Sequence, residues 1–201
     1  MKNLRNVIAF AVVAGLAVLW PVSGFSAPIY DIDKAHSSFG FSVTHMMISH
    51  VTGGFGDYDG QIVFSADDLA SSKFDFTVKA ASIDTRNEMR DKHLRTGDFF
   101  DVEKYPLITF KSKKVAASGD KKYVVTGDLT MKDVTKEVEI PVTVLGPVPS
   151  PFGPGTAIGI AAQFSLNRQD YHVNWNKALD NGGVMVGDVV DVTVNIEAHA
   201  K

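Results

Sequence analysis

The chain has 201 residues, 45% of them hydrophobic and 21% charged, which is typical of a globular protein with one or at most two domains. It contains no cysteine, which excludes disulfides, thiolate metal sites, a cysteine nucleophile and a cysteine-linked lipid anchor. With 20 basic against 23 acidic residues it is slightly acidic, which argues against a nucleic-acid partner.

The N-terminal residues have the layout of a secretory signal peptide. Lys2 and Arg5 precede an apolar run over residues 7–20, and the breaker-rich segment "PVSGFSA" follows. We therefore predict a cleavable signal peptide over residues 1–27, cut between Gly24 and Ala27, and a periplasmic location for the remainder. The apolar run is too short for a stable membrane anchor.

The remaining chain, residues 28–201, is predicted to be a single domain. Without Lys2 and Arg5 the basic residues fall to 18 against 23 acidic ones, so its net charge is −5. That charge gives no electrostatic reason to bind an anionic membrane. About 175 residues are enough to build a core without disulfides. The oligomeric state stays open, a homodimer included.

From Pro28 onward, apolar and polar residues alternate along eight or nine runs. A period of two with one apolar face is typical of an antiparallel strand with one solvated side. The clearest run is "KEVEIPVTVLG", residues 136–146. Turn-rich segments such as "SGDK" separate the runs, and "GPVPSPFGPG", residues 146–155, is predicted to be a loop within the domain. The short serial connections favour a closed barrel over a sandwich.

The segment "NEMRDKHLRTGDFF", residues 87–100, breaks this alternation. Thr85 followed three residues later by Glu88 is a capping-box signature for a helix start. Gly97 is well placed to end the helix. The pattern predicts one short helix over about residues 86–95.

The charges of this helix lie at the spacing of surface pairs. Two acid–base pairs are four residues apart in the favourable order, Glu88–Lys92 and Asp91–Arg95. The helix wheel makes His93 the partly buried member. Two roles stay open for Arg90, Asp91 and His93: they hold the helix against the barrel, or they contact a ligand directly.

Motifs for metal binding and catalysis are missing from the sequence. His36, His45 and His50 fall close together, but no HExxH or His-x-His pair occurs and no third ligand has a recognisable spacing. A G-x-S-x-G elbow and a glycine-rich phosphate loop are also missing. We therefore predict no metal site, no cofactor and no catalytic residue.

Apolar residues outside the alternating runs are frequent. They fall in "HMMI" (45–48), "DFF" (98–100) and "VNWN" (173–176). Such residues usually fold back into the core. Several of them at one barrel mouth would instead form an apolar entrance, and Met46 and Met47 are flexible enough to adapt to a mobile ligand.

Three long segments follow a known pattern: "IDKAHSSFGFSVTHMMISHVTGGFGDYDG", "ASIDTRNEMRDKHLRTGDFFDVEKYPLITFKS" and "VTGDLTMKDVTKEV". They resemble the YceI-like family of polyisoprenoid-binding periplasmic proteins, and the resemblance extends to "LNRQDYHVNWN". It implies an all-β fold, an extended, lipocalin-like, eight-stranded antiparallel β-barrel whose lumen holds a long isoprenoid or other lipid. The chain departs from the family at Tyr171–His172, where an aromatic followed by glycine is more frequent.

We therefore predict a periplasmic carrier that binds a long-chain isoprenoid or fatty lipid without catalysis. The residues expected to line the lumen are Phe39, Phe41, Phe76, Phe110 and Phe164. Those expected nearer its entrance are Met46, Phe99, Phe100 and Trp175. Those expected as polar framework or headgroup contacts are His45, Arg90, Asp91, His93 and Arg168.

Two other functions remain open at this point. One is a lipid-modifying enzyme that uses His93 and Asp91 as acid–base partners. The other is an interaction module with a filled barrel. An eight-stranded barrel is just wide enough either to be filled by its own side chains or to hold one ligand, so the sequence does not separate these cases.

Overall fold

The computed structural model describes residues 27–151, 153–180 and 182–200; residues 1–26 of the predicted signal peptide lie outside this part. The described residues form ten strands and one α-helix. The strands are β1 (Ile29–His45), β2 (Ser49–Phe55), β3 (Tyr58–Val63), β4 (Lys73–Lys79), β5 (Ile83–Asp84), β6 (Leu107–Gly119), β7 (Lys122–Met131), β8 (Val134–Pro149), β9 (Thr156–Asn167) and β10 (Val186–Ala200). The helix α1 spans Glu88–Arg95.

Eight of these strands close into an antiparallel barrel, as predicted. The order around the wall is β1, β3, β4, β6, β7, β8, β9 and β10, and β10 pairs back onto β1. At one end of the barrel, β2 extends the wall by pairing with β1 from Phe39↔Phe55 to His45↔Ser49, and β5 pairs with β2. Closure leaves no free edge between β1 and β10.

The alternating pattern explains which face of each strand is buried. In β8, Ile140, Val142 and Val144 are buried, whereas Glu137 and Glu139 are exposed. Successive side chains of a strand point to opposite faces, so one face fills the interior and the other meets water.

One end of the barrel is closed by its core. Tyr30, Ile62 and Ala198 are buried there, where the start of β1 pairs with the ends of β3 and β10. Phe64 packs on Phe74 with ring centroids 6.0 Å apart. The helix and the β1–β2 turn lie at the opposite end. The mouth of the barrel, where its lumen would open, is therefore at that end.

The segment 146–155 is not wholly a loop, contrary to the prediction. β8 continues to Pro149, and Val148 and Pro149 pair with Ala157 and Thr156. A register shift between Leu145 and Val148 lets the strand pass through its Pro/Gly residues before pairing resumes. Such bulges tolerate proline because ladder hydrogen bonding is interrupted there.

The helix starts later than predicted, and its cap is different. Asn87 is the N-cap, and its side chain accepts a hydrogen bond from the Arg90 amide. Arg86 has a φ of 61°, which is not helical, and this turn separates Thr85 from the helix. The predicted capping box of Thr85 and Glu88 is therefore wrong.

The helix ends at the predicted residue, but not through the predicted glycine. α1 ends at Arg95 with Thr96 as its C-cap, and the Thr96 amide donates to the His93 carbonyl. Gly97 follows without a left-handed φ, so it is not a glycine cap. None of the helices among the described residues has the length and apolarity needed to cross a bilayer.

Candidate functional site

The barrel encloses a cavity of about 580 Å³. Its walls come mainly from β1, β2, β4 and β6–β10, and α1 contributes near one end. Most of the lining side chains are aliphatic or aromatic, and the few polar ones include His45, Arg90, His93 and Arg168. Ligand pockets are commonly of this size and character. The lumen is therefore not filled by its own side chains.

Ten of the eleven residues predicted to contact a ligand line this cavity: Phe39, Phe41, His45, Phe76, His93, Phe99, Phe100, Phe110, Phe164 and Trp175. Met46 does not line it. This residue lies in the turn after β1 with a φ of 51°, is 38% exposed, and donates its amide to the Met185 carbonyl. The left-handed turn takes the chain off the strand before Met46, so the alternation of β1 no longer applies there.

Sequence reasoning missed most of the aliphatic lining. Val43, Val51, Leu129, Val192 and other branched side chains also face the cavity. Val43, Leu129 and Val192 share the apolar face of runs predicted as strands, whereas Val51 lies in the glycine-rich β2, which was not predicted as a strand. Aromatic residues were singled out at the expense of these smaller neighbours.

Glycines in the wall leave space for three of the predicted aromatic rings. A Cβ at Gly60 would lie 2.5 Å from the Phe76 ring, and one at Gly127 would lie 2.7 Å from the Phe110 ring. Phe41 covers Gly53 in the same way. Each ring lies against a neighbouring strand where only a glycine leaves room. This arrangement keeps bulky rings along the wall of the lumen.

An aromatic cluster surrounds the end of the cavity beneath α1. The His93 ring centroid is 5.1 Å from that of Phe99 and 5.1 Å from that of Trp175, both at nearly perpendicular angles. Phe100 contacts Phe55 with centroids 5.9 Å apart. Edge-to-face contacts of this kind stabilise aromatic clusters beyond their buried area. The predicted entrance residues Phe99, Phe100 and Trp175 thus lie together at this end.

The carboxylate of Asp91 holds α1 in place. It is buried, and Oδ1 accepts hydrogen bonds from the Thr85 amide (2.9 Å) and the Thr85 hydroxyl (2.5 Å). Arg90 donates through Nε to the same hydroxyl and through Nη2 to the Thr85 carbonyl, both at 2.7 Å. Asp91 therefore has a structural role only, whereas Arg90 both holds the helix and lines the cavity.

The predicted pair Asp91–Arg95 is not formed. The Asp91 carboxylate is turned to Thr85, and the Arg95 guanidinium donates to the carbonyls of Ala81 (2.8 Å) and Ile83 (2.7 Å). The four-residue spacing suits a pair on the helix surface. Asp91 is buried, however, and bonds to Thr85, while Arg95 reaches backbone carbonyls beside β5.

His93 pairs with Asp98 rather than Asp91. Its Nε2 lies 2.7 Å from Asp98 Oδ2, and the His93 side chain is 40% exposed. The acid–base pair of His93 and Asp91 that an enzyme was predicted to use is therefore absent. The His93 ring borders the cavity, and its Nε2 is held by the half-exposed Asp98 carboxylate.

Arg168 is buried and links β10 to the segment 173–175 through hydrogen bonds. Its guanidinium donates to the carbonyls of Gly187 (2.8 Å) and Trp175 (2.9 Å), and also to those of Val173 and Val186. Burial lowers the pKa of Arg168 from its ordinary value, and the nearby Asp188 carboxylate opposes that effect. Because these donors are satisfied by backbone, Arg168 positions the mouth and has little left to offer a headgroup.

The departure from the family pattern at His172 does not remove the turn. His172 has a φ of 57°, a left-handed conformation that favours glycine. Its Nδ1 lies 2.9 Å from Asp133 Oδ1, and its carbonyl accepts from Lys132 Nζ at 2.9 Å. The hydrogen bond from His172 lowers the pKa of Asp133. The His172 side chain thus has a partner, Asp133, that glycine would lack.

Fold and lumen together define a lipocalin-like barrel with an enclosed apolar cavity. The chain belongs to the YceI-like domain family, whose model matches residues 30–198. It is 37% identical over 172 residues to the UPF0312 protein SAS2572 of Staphylococcus aureus, covering 86% of this chain and 95% of that one.

Solved structures share the fold. BcnA of Burkholderia cenocepacia has a TM-score of 0.73 at 27% identity, over 83% of this chain and 99% of that one. The YceI protein of Campylobacter jejuni has a TM-score of 0.66 at 31% identity, over 79% and 90%. A polyisoprenoid-binding domain from Saccharophagus degradans has a TM-score of 0.64 at 16% identity, over 86% and 98%, which is a likeness of fold alone.

Proposed function

We propose that this protein binds a long-chain isoprenoid or similar lipid in the barrel lumen and shields it from water in the periplasm, without catalysis. The observation on which this rests is the cavity of about 580 Å³ with its almost wholly apolar lining. The shared fold with a domain described as polyisoprenoid-binding supports the same ligand class.

The energetics favour an elongated apolar ligand. Burying ten methylene-sized units contributes roughly 8 kcal/mol, and association costs several kcal/mol. A headgroup hydrogen bond adds only about 1 kcal/mol. The affinity would therefore come from the apolar walls, and the polar groups would set ligand orientation.

His93 and Arg90 are the polar groups best placed to meet a headgroup. Both line the cavity at the α1 end, where the aromatic cluster also lies. Asp91 does not line the cavity, and Arg168 donates to four backbone carbonyls, so these two residues support the mouth instead. A ligand would enter with its apolar chain directed toward the closed end near Tyr30 and Ile62.

Saturable uptake of a prenyl quinone tests this function, with a lumen-filling variant as the comparison. Ala162 is buried and lines the cavity, so Ala162→Phe should reduce the space and lower the affinity at least tenfold. Ala161 is its exposed neighbour on β9, so Ala161→Phe should bind as the wild type does. Equal uptake by both variants, or no saturable uptake by the wild type, would refute lumen binding.

An enzymatic role predicts a different result. His93 and Asp98 form a histidine–carboxylate pair beside the cavity, which is the arrangement that general acid–base chemistry uses. A lipid-modifying enzyme would convert a bound lipid and lose that turnover in His93→Ala while retaining uptake. We expect the lipid to be recovered unchanged from both proteins.

A further inference from the structure

A cluster of metal-ligand side chains lies outside the lumen, where β1 meets β10. Asp33 is paired with Glu197 across these strands, and the neighbouring pair is Asp31 with His199. Opposite residues of an antiparallel pair share a face, so all four lie on the same side of the sheet. Ile32, Ile196 and Ala198 alternate with them and belong to the core, which places the cluster on the outer face of the barrel.

Three donor atoms of this cluster converge. His199 Nε2 lies 3.2 Å from Glu197 Oε1 and 3.9 Å from Asp33 Oδ2, and all three ligand atoms lie within 4.8 Å of one another. Two ligands that each lie about 2.0–2.2 Å from a zinc ion are at most about 4.4 Å apart, and both separations from His199 Nε2 lie within that limit. A single cation could therefore contact all three groups with little rearrangement.

The surroundings orient these ligands. His199 Nδ1 lies 3.3 Å from Ser150 Oγ, and His36 Nδ1 lies 2.7 Å from Asp33 Oδ2. Hydrogen bonds of this kind fix ring orientation and carboxylate geometry around metal ions. The side chains of Asp33 and His199 are each only 22% exposed, which further restricts their movement.

From this geometry we propose a binding site for a divalent transition cation of the zinc class, with Asp33, Glu197 and His199 as ligands. One imidazole nitrogen and two carboxylate oxygens are a donor set that zinc accepts, with water completing the coordination. The two carboxylates balance the charge of a divalent ion. The site would join the first and last strands of the barrel next to the register shift between Asp33 and Ser38.

This site differs from the metal prediction made from the sequence, which considered His36, His45 and His50 and found no ligand spacing. The three ligands come from opposite ends of the described chain, so no local motif reveals them. The pairing of β1 with β10 alone brings Asp33 to Glu197. His36 contributes by holding Asp33, and His45 lines the lumen instead.

Calorimetric titration with Zn²⁺ of protein freed of metal with a chelator, and carrying no added histidine tag, tests this site. We expect one ion per chain in the wild type and an affinity at least tenfold lower in His199→Gln and Glu197→Gln. Glu197 is 41% exposed, so Glu197→Gln should fold even if His199→Gln does not. His172→Gln is the matched control, because its imidazole also contacts one carboxylate, Asp133, outside the cluster.

Thermal unfolding with Zn²⁺ distinguishes binding at one defined site from nonspecific binding at the surface. Zn²⁺ that binds only the folded chain raises the thermal unfolding midpoint. The rise should occur in the wild type and in His172→Gln, and should be lost in Glu197→Gln. Equal affinity in all variants would mean an adventitious ion only, and this result or the absence of one-to-one binding would overturn the proposal.

Discussion

The position of α1 depends on one buried carboxylate, that of Asp91. Its Oδ1 accepts from both the amide and the hydroxyl of Thr85, so removing it leaves buried donors without an acceptor. We expect Asp91→Ala to lower the free energy of unfolding by about 2–3 kcal/mol. Urea denaturation measures this. Glu88→Ala, at an exposed position in the first turn of the same helix, removes only a favourable charge and should cost no more than about 1 kcal/mol; equal effects would contradict the role of Asp91.

The left-handed conformation of His172 should cost stability that a glycine would not. A left-handed residue with a Cβ costs about 1–2 kcal/mol relative to glycine. His172→Ala keeps that cost and loses the contact with Asp133, whereas His172→Gly loses the contact and the cost together. We therefore expect His172→Gly to be more stable than His172→Ala by about 1 kcal/mol. The reverse order in thermal unfolding would show that the turn is not strained.

The effect of the His172 contact on the pKa of Asp133 can be measured by NMR titration. Its hydrogen bond lowers the pKa of Asp133, so the stabilisation is present above the ordinary carboxyl range and is lost as the pH falls through the pKa of the folded state. In both His172 variants the pKa of Asp133 should rise toward its ordinary value. An unchanged value would assign the shift to another group.

At the scale of the strands, the contact between glycine and aromatic ring keeps the lumen open. A Cβ at Gly127 would lie 2.5 Å from the Lys111 carbonyl oxygen and 2.7 Å from the Phe110 ring. We expect Gly127→Ala to cost about 1–3 kcal/mol in unfolding free energy and to displace the ring into the lumen. Gly159→Ala is the control, since its Cβ would meet nothing closer than 3.8 Å. Equal stability of the two variants would contradict this account.

The strands could be predicted from the sequence, whereas the start of α1 could not. The strands were predictable because their period of two reports burial directly, as β8 illustrates. The start of α1 was not, because Arg86 adopts a left-handed turn and Thr85 bonds with Asp91 rather than capping the helix. A capping box is a local pattern, and here a tertiary hydrogen bond overrides it.

For the molecule as a whole, closure of the barrel decides which residues meet. Aromatic residues from β1, β4, β6 and β9 line one lumen because β10 returns to β1. Sequence alternation predicted their faces, and resemblance predicted the eight strands. Neither of them predicts whether the lumen is open. That depends on how rings such as Phe76 lie against glycines of the adjacent strand.

Native mass spectrometry of protein purified from its own host tests most directly whether the lumen holds a long apolar chain. We expect a bound species that solvent extraction releases as an isoprenoid or similar lipid. Protein with Ala162→Phe should retain less of it, and protein with Ala161→Phe should retain it fully. A wild-type protein that carries no lipid and takes none up would show that the lumen is not a lipid-binding site.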